Sequence, residues 1–369
     1  MHSSTSNFDF QRPIPAQPWR GLLLAALVVT ALATIAWEIR ARKLGYGPTL
    51  NDTADLWADR RESVKPDSIV IIGDSRALFD MNLDALKQGL GRRPVQLALV
   101  GSCAYPVLEN LANDETFHGT VIASVIPGLW MVPPPAPPYK NSLNAIKRYR
   151  DRTVSQRAGH ELGMFLEEHV AFLKEDELTL AALLQSIKIP SRATYHAPPA
   201  FPPYFATINR ERQTLMIEAS TRPGPLQDRI RNGWIPLFTP PQMAAHTPKF
   251  VFEEIATAVE ARFGQTAAAV KKIRARGGQV VFVRFPHSGP LKEFEDQGTP
   301  RTAAWTRLMK ETGAPNIYYS DFPELVFECL EWSHLSAPDA LEFSKRLVPH
   351  LQRALGTPPV AVARSASVP

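Results

Sequence analysis

Four near-continuous apolar runs constrain this chain most: SIVIIG (68–73), VQLALVG (95–101), TVIASVI (120–126) and QVVFVRF (279–285). Each is short, rich in β-branched residues and free of polar alternation, so each reads as a strand covered on both faces. A shorter fifth run, NIYYSD, follows at 316–321. Segments with helical spacing lie between the runs. NLDALKQGLG (82–91) ends in glycine, a second helix of about 251–276 precedes Gly277-Gly278, and a last helix begins at Ser336. There SAPD offers a capping box to Asp339, with Pro338 in the first turn. This alternation predicts an α/β fold built on a doubly wound parallel sheet of about five strands. Such sheets bind ligands beyond the C-terminal ends of their strands.

The alternation breaks between about 130 and 250. Proline clusters VPPPAPPY (132–139), PSRATYHAPPAFPPY (190–204) and WIPLFTPP (234–241) bracket helical patterns such as 157–187. The stretch reads as a large insertion, mostly helix and loop, placed to cap one end of the sheet. With 34 prolines and no internal period, the 369 residues exclude a repeat protein. The net charge of +5 is scattered, without basic runs interleaved with aromatics, which argues against a nucleic-acid surface.

At the N-terminus, GLLLAALVVTALATIAW (21–37) carries no charge and is flanked by Trp19 and Trp37. It predicts a membrane-spanning helix over 19–40, with tryptophans at the interfaces. A disordered tail (1–18), a connector (41–66), the main domain (67–356) and a second tail (357–369) complete the expected layout. The flanking charges, Arg12 and Arg20 before the helix and Arg40, Arg42 and Lys43 after it, lean toward a cytoplasmic C-terminal side. That rule carries little weight for long translocated domains.

Small residues and hydroxyls collect just past the strands: Gly73-Asp74-Ser75, Gly101-Ser102-Cys103, Pro127-Gly128, and Pro286-His287-Ser288-Gly289. Past the fifth run comes Glu331-Trp332-Ser333-His334. Ser75 is either the cap of the following helix or a nucleophile. A hydroxyl nucleophile needs a base and the base needs an orienting acid, roles open to His334 and Glu331. Backbone N–H groups of Ser75 and Gly101 would face a developing oxyanion. Arg76 reads either as a binder of an anionic substrate or as a helix residue, and His287 as a loop residue near the cleft. Trp130, Tyr204 and Trp234 are either sugar-stacking or core aromatics. Cys103 and Cys329 have no metal-binding spacing; they either pair or are two buried thiols. No cofactor or metal is indicated.

In this order the residues resemble those of the SGNH, or GDSL-type, hydrolase superfamily. The resemblance rests on Gly73-Asp74-Ser75, Gly101 and EWSHL (331–335), and covers 68–127 and 279–356, roughly half the chain. It implies a flavodoxin-like sheet, Ser75 as nucleophile, His334 as base and Gly101 as an oxyanion donor. Glu331 stands where the family has aspartate. The family's block with an oxyanion asparagine after the third strand is absent; the chain reads IPGLW there, leaving Gly128 to offer a backbone donor. A membrane helix ahead of such a domain is similar in layout to accessory O-acyltransfer proteins of bacterial envelopes. That layout implies an extracytoplasmic domain, tethered to the cytoplasmic membrane and working with a membrane-bound O-acyltransferase. It further implies transfer of an acyl group, acetyl first among candidates, to a polysaccharide through Ser75. The alternatives are a plain carboxylesterase and an inactive scaffold that binds polysaccharide.

Overall fold

The computed structural model describes residues 18–174, 201, 204–238 and 249–356. The expected tails at 1–18, Pro18 excepted, and 357–369 lie outside these residues, as does 175–187 of the expected helical stretch. The chain divides into two compact units, residues 1–47 and 48–369.

Among its described residues the first unit contains one helix, Trp19–Lys43. Its 25 residues span about 37 Å at 1.5 Å per residue, more than the roughly 30 Å of a bilayer's hydrocarbon core. Leu22, Leu24, Leu27, Val29, Leu32 and Ile35 are all exposed. By length and composition this helix is able to cross a membrane.

The second unit is built on a five-stranded parallel sheet. In chain order the strands are β1 (Ile69–Ile72), β2 (Val95–Gln96) and β3 (Thr120–Ser124), then β4 (Ala206–Ile208) and β5 (Thr214–Met216) of a separate hairpin, then β6 (Gln279–Arg284) and β7 (Asn316–Tyr318). The sheet order is β2-β1-β3-β6-β7, and every neighbouring pair is parallel. All four residues of β1 and all but the first of β3 and β6 are buried. That is why these runs lack polar alternation. The chain passes from β1 to one side for β2 and returns to the other side for β3. The strand order therefore reverses at β1 and β3, which opens a crevice above their C-terminal ends.

Local rules set the flanking helices. The helix Leu83–Leu90 starts on Asn82, whose side chain accepts from the Asp84 and Ala85 N–H groups, and stops at Gly91 with φ 74°. The helix Ala337–Leu355 starts on Ser336, which accepts from the Asp339 N–H at 3.2 Å. Ser336 also donates to the Asp339 carboxylate at 2.6 Å, so the reciprocal half of the expected capping box is replaced by a side-chain pair.

Three expectations need correction. First, β2 ends at Gln96 rather than 101. The Leu97 and Leu99 N–H groups still bond to Ile71 and Gly73 carbonyls at 2.8 and 3.0 Å. On the outer edge, however, Trp57 Nε1 takes the Leu97 carbonyl and Arg212 takes that of Gln96, so side chains cover this edge. Likewise β7 gives way after Tyr318 to a 3₁₀ turn. Second, the expected connector contains a helix, Ala54–Glu62, capped by Thr53, with Trp57 fully buried in the main core. Third, the insertion is mostly helix and loop as expected, but it also contains an antiparallel hairpin, β4–β5, that the sequence does not announce. Its turn lacks glycine: Arg212 takes φ 58°, and Asn209 Oδ1 accepts from the Glu211 and Gln213 N–H groups at 3.0 Å each. The buried Arg212 guanidinium meets both oxygens of Asp52 at 2.8 and 2.9 Å, holding the turn against the domain.

Candidate active site

Gly73 lets β1 end where it does. A Cβ at this position would stand 2.5 Å from Ser124 Cβ and 2.9 Å from Ala77 Cβ, so only glycine lets the turn lie this close to β3. Asp74 then caps the helix Ser75–Phe79. Its Oδ1 accepts from the Arg76 N–H at 2.9 Å and its Oδ2 from Ser124 Oγ at 3.0 Å. The cap is therefore Asp74 and not Ser75. The Ser75 hydroxyl makes no hydrogen bond among the described residues and lines a cavity of about 870 Å³.

The same cavity is lined by Gly101, Gly128, Glu331 and His334. Thus the serine, both glycine positions, the acid and the imidazole all line one cavity. Gly101, in the turn after β2, has φ 58°, a conformation that glycine adopts without strain. Ser75 and Gly128 lie in the first turns of their helices, where N–H groups lack intrahelical acceptors.

Glu331 is fully buried, yet its carboxylate is surrounded by donors. Oε1 accepts from the Ser333 N–H at 3.1 Å and from the His334 N–H, and Oε2 accepts from Trp234 Nε1 at 2.9 Å. His334 Nδ1 lies 2.9 Å from Oε1, within ion-pair distance although off the line that a hydrogen bond prefers. Burial raises the carboxyl pKa, but the neighbouring His334 and these donors outweigh it and hold Glu331 below the usual carboxylate range. The His334 ring stacks on Phe79 with centroids 4.4 Å apart, and its Nε2 has no hydrogen-bond partner among the described residues. No hydrogen bond joins Ser75 and His334 among the described residues.

The loop bearing the acid and base is held from three sides. Asp80, which ends the Ser75 helix, accepts from the Leu335 N–H at 2.8 Å. Burial pushes its carboxyl well above the ordinary range. Arg231, on the insertion helix Pro225–Phe238, donates twice to the Leu330 carbonyl, at 2.6 and 3.0 Å, and Trp234 on the same helix reaches Glu331. Ser288 Oγ accepts from the Cys329 N–H, and Trp332 sits at φ 82°. Asp80, Arg231 and Trp234 as supports of this loop are absent from the sequence reading. Asp80 alone had a local signal, five residues after Ser75 at the end of a short helix.

Arg76 lines the cavity but its guanidinium is engaged. It meets both Glu295 oxygens, at 2.5 and 3.0 Å, and Ser333 Oγ at 3.4 Å. Arg284 shares the same carboxylate. Burial opposes the charge on Glu295, but Arg76 and Arg284 win and hold its pKa well down. Arg76 is thus an internal ion-pair partner, where the sequence reading left open a substrate contact. His287 lies outside the cavity lining. Its Nε2 accepts from Arg284 at 3.1 Å and its Nδ1 donates to the Phe285 carbonyl at 3.3 Å. Glu295 and Asp296 stand 3.7 Å away, and the Tyr319 ring meets it edge-on.

Burial, followed by the charges of Arg76 and Arg284, pushes the His287 imidazole down to about 2. The unfolded chain takes up this proton near 6.5 and the folded chain does not. The stability this group contributes is therefore complete above pH 6.5 and is lost as pH falls toward 2. The slope is at most about 1.4 kcal/mol per pH unit. Urea unfolding at pH 7 and pH 5 checks this: the wild-type loss over that interval should exceed that of His287→Gln by about 2 kcal/mol. Equal losses would show that His287 is protonated in the folded chain.

Trp130 is buried, with Nε1 on Thr266 Oγ1 at 3.2 Å, and Tyr204 is also buried; Trp234 is the one of the three tryptophan and tyrosine candidates that lines the cavity. Cys103 and Cys329 are both buried and unpaired, and burial raises both thiol pKa values. Among the described residues, no group of three or more His, Cys, Asp or Glu is arranged to hold a metal ion. No protein-family model, no curated protein and no solved structure matches this chain.

Proposed function

We propose that this chain is a membrane-anchored, SGNH-like serine acyltransferase or esterase that forms an acyl-enzyme at Ser75. One observation carries the reading. Ser75 is relieved of helix capping by Asp74 and shares a cavity with a buried Glu331–His334 pair. The sheet order supports it: counting parallel strands alone gives 2-1-3-4-5, the order of flavodoxin-like sheets, whose ligands sit at the β1/β3 switch point.

The chemistry follows from the roles. Ser75 Oγ attacks the ester carbonyl while His334 Nε2 takes its proton. Glu331 orients the ring and stabilises the imidazolium. The N–H groups of Ser75 and Gly101, with Gly128 beside them, face the oxyanion. The imidazolium returns the proton to the leaving alcohol, which departs and leaves the Oγ–acyl bond. Water or an acceptor hydroxyl then attacks the acyl carbonyl while giving its proton to His334, and the imidazolium passes that proton to Ser75 Oγ as the Oγ–acyl bond breaks. With a sugar hydroxyl as acceptor, the same cycle transfers the acyl group to a polysaccharide. In this reading the helix Trp19–Lys43 anchors the domain on the outer side of the cytoplasmic membrane, beside a membrane-bound O-acyltransferase as partner.

Glu331→Gln keeps the shape but removes the charge and sets an amide N–H among existing donors. It should lower kcat by about 10²–10⁴-fold with a smaller change in KM; a loss under tenfold would remove Glu331 from the cycle. The function itself is tested with a p-nitrophenyl ester, with and without oligosaccharide. Acyl groups recovered on sugar support transfer, and acyl groups recovered only as free acid support an esterase. No turnover, with polysaccharide binding retained, would make the chain a scaffold.

A further inference from the structure

We infer that the acyl group carried by Ser75 is a medium- or long-chain fatty acyl group rather than acetyl; this rests on the acyl-enzyme reading above. The observation is what the insertion builds over the serine. Phe201, Phe205, Ile230 and Trp234 all come from it, and together with Phe79 and Leu291 they wall the cavity with apolar surface. A methylene takes up the space of a liquid-water molecule, about 30 Å³. Acetyl then fills about 60 Å³, and a chain of about sixteen carbons about 480 Å³, against a cavity of about 870 Å³.

The charges at the wall lead to the same conclusion. Asp52 is held by Arg212, Arg76 and Glu295 hold each other, Lys174 reaches Asn51 Oδ1, and Glu331 is held by Trp234 and His334. Among the described residues, each charged side chain lining the space already has a protein partner. A hydroxyl-rich or anionic ligand filling this volume would find few groups to replace its water. An alkyl chain asks only for removal from water, which the aromatic wall provides. The volume beyond one chain leaves room for the alcohol part of the ester.

The test uses the full chain in a fixed concentration of non-ionic detergent, with p-nitrophenyl esters from acetate to decanoate. The expected result is a rise in kcat/KM of about two- to fourfold per added methylene, which compounds to about 60- to 4,000-fold over the six methylenes from acetate to octanoate. Thr207, on β4, is half-buried and lines the cavity; Thr207→Trp should lower octanoate turnover more than tenfold relative to acetate. A flat series, or one that peaks at acetate while a fluorophosphonate still labels Ser75, overturns the chain-length inference and leaves the nucleophile standing. No cleavage at any length together with no labelling of Ser75 overturns both.

Discussion

Ser75→Ala should lower turnover of an activated ester by about 10⁴–10⁶-fold, the loss seen when a serine nucleophile is removed from a cooperating triad. The unfolding midpoint should stay where it is. The hydroxyl makes no hydrogen bond among the described residues, and the helix cap is supplied by Asp74, so the fold loses only one small polar group. Activity and stability are thus expected to separate cleanly. Assays of the purified variant against p-nitrophenyl esters, paired with thermal unfolding, check both halves. His334→Ala should cost as much, and Ser75→Ala/His334→Ala no more than either alone, because residues that act as a unit do not add. A Ser75→Ala variant with wild-type turnover would move the chemistry elsewhere.

Glu295→Ala should produce the largest loss of stability of any single change considered, about 3–5 kcal/mol. The carboxylate is shared by Arg76 and Arg284, whose side chains are 1 % and 3 % exposed. Removing it strands two buried guanidinium groups without a counter-charge. The same change loosens Arg76, next to Ser75 in sequence, so catalysis should fall along with stability, in contrast to Ser75→Ala. Replacing the whole cluster with apolar residues of similar size should cost much less than the single change, since an ion pair contributes little over a well-packed apolar substitute. Urea unfolding of Glu295→Ala decides the matter: a loss below about 1 kcal/mol would mean that water reaches the arginines.

The contrast between these two variants also shows what could be read from sequence. Features governed by neighbours a few residues apart were legible. The apolar runs of β1, β3 and β6 lie where buried strands were expected, and Asn82, Gly91 and Ser336 start or stop their helices by capping rules. Ser75, Gly101, Glu331 and His334 were singled out by strand-end position and by the three-residue spacing of acid and base. Long-range pairings were not legible. Arg76 and Glu295 lie 219 residues apart, and nothing in either segment names the other. Trp234 reaches Glu331 across 97 residues from an insertion that reads only as proline-rich helix and loop. The short β2 has the same cause, because the groups that take its outer carbonyls, Trp57 and Arg212, come from a supposed connector and from an unforeseen hairpin. The role of Asp74 was hidden differently: two adjacent residues, Asp74 and Ser75, both suit a helix cap, and only the backbone path shows which one takes it.

The most direct measurement is the mass of the full-length protein after exposure to a fluorophosphonate in detergent, with the modified peptide sequenced. The acyl-enzyme account predicts a single adduct on Ser75, lost in Ser75→Ala and slowed by Glu331→Gln. An unmodified protein, or an adduct on another serine such as Ser102 with Ser75 untouched, would contradict it.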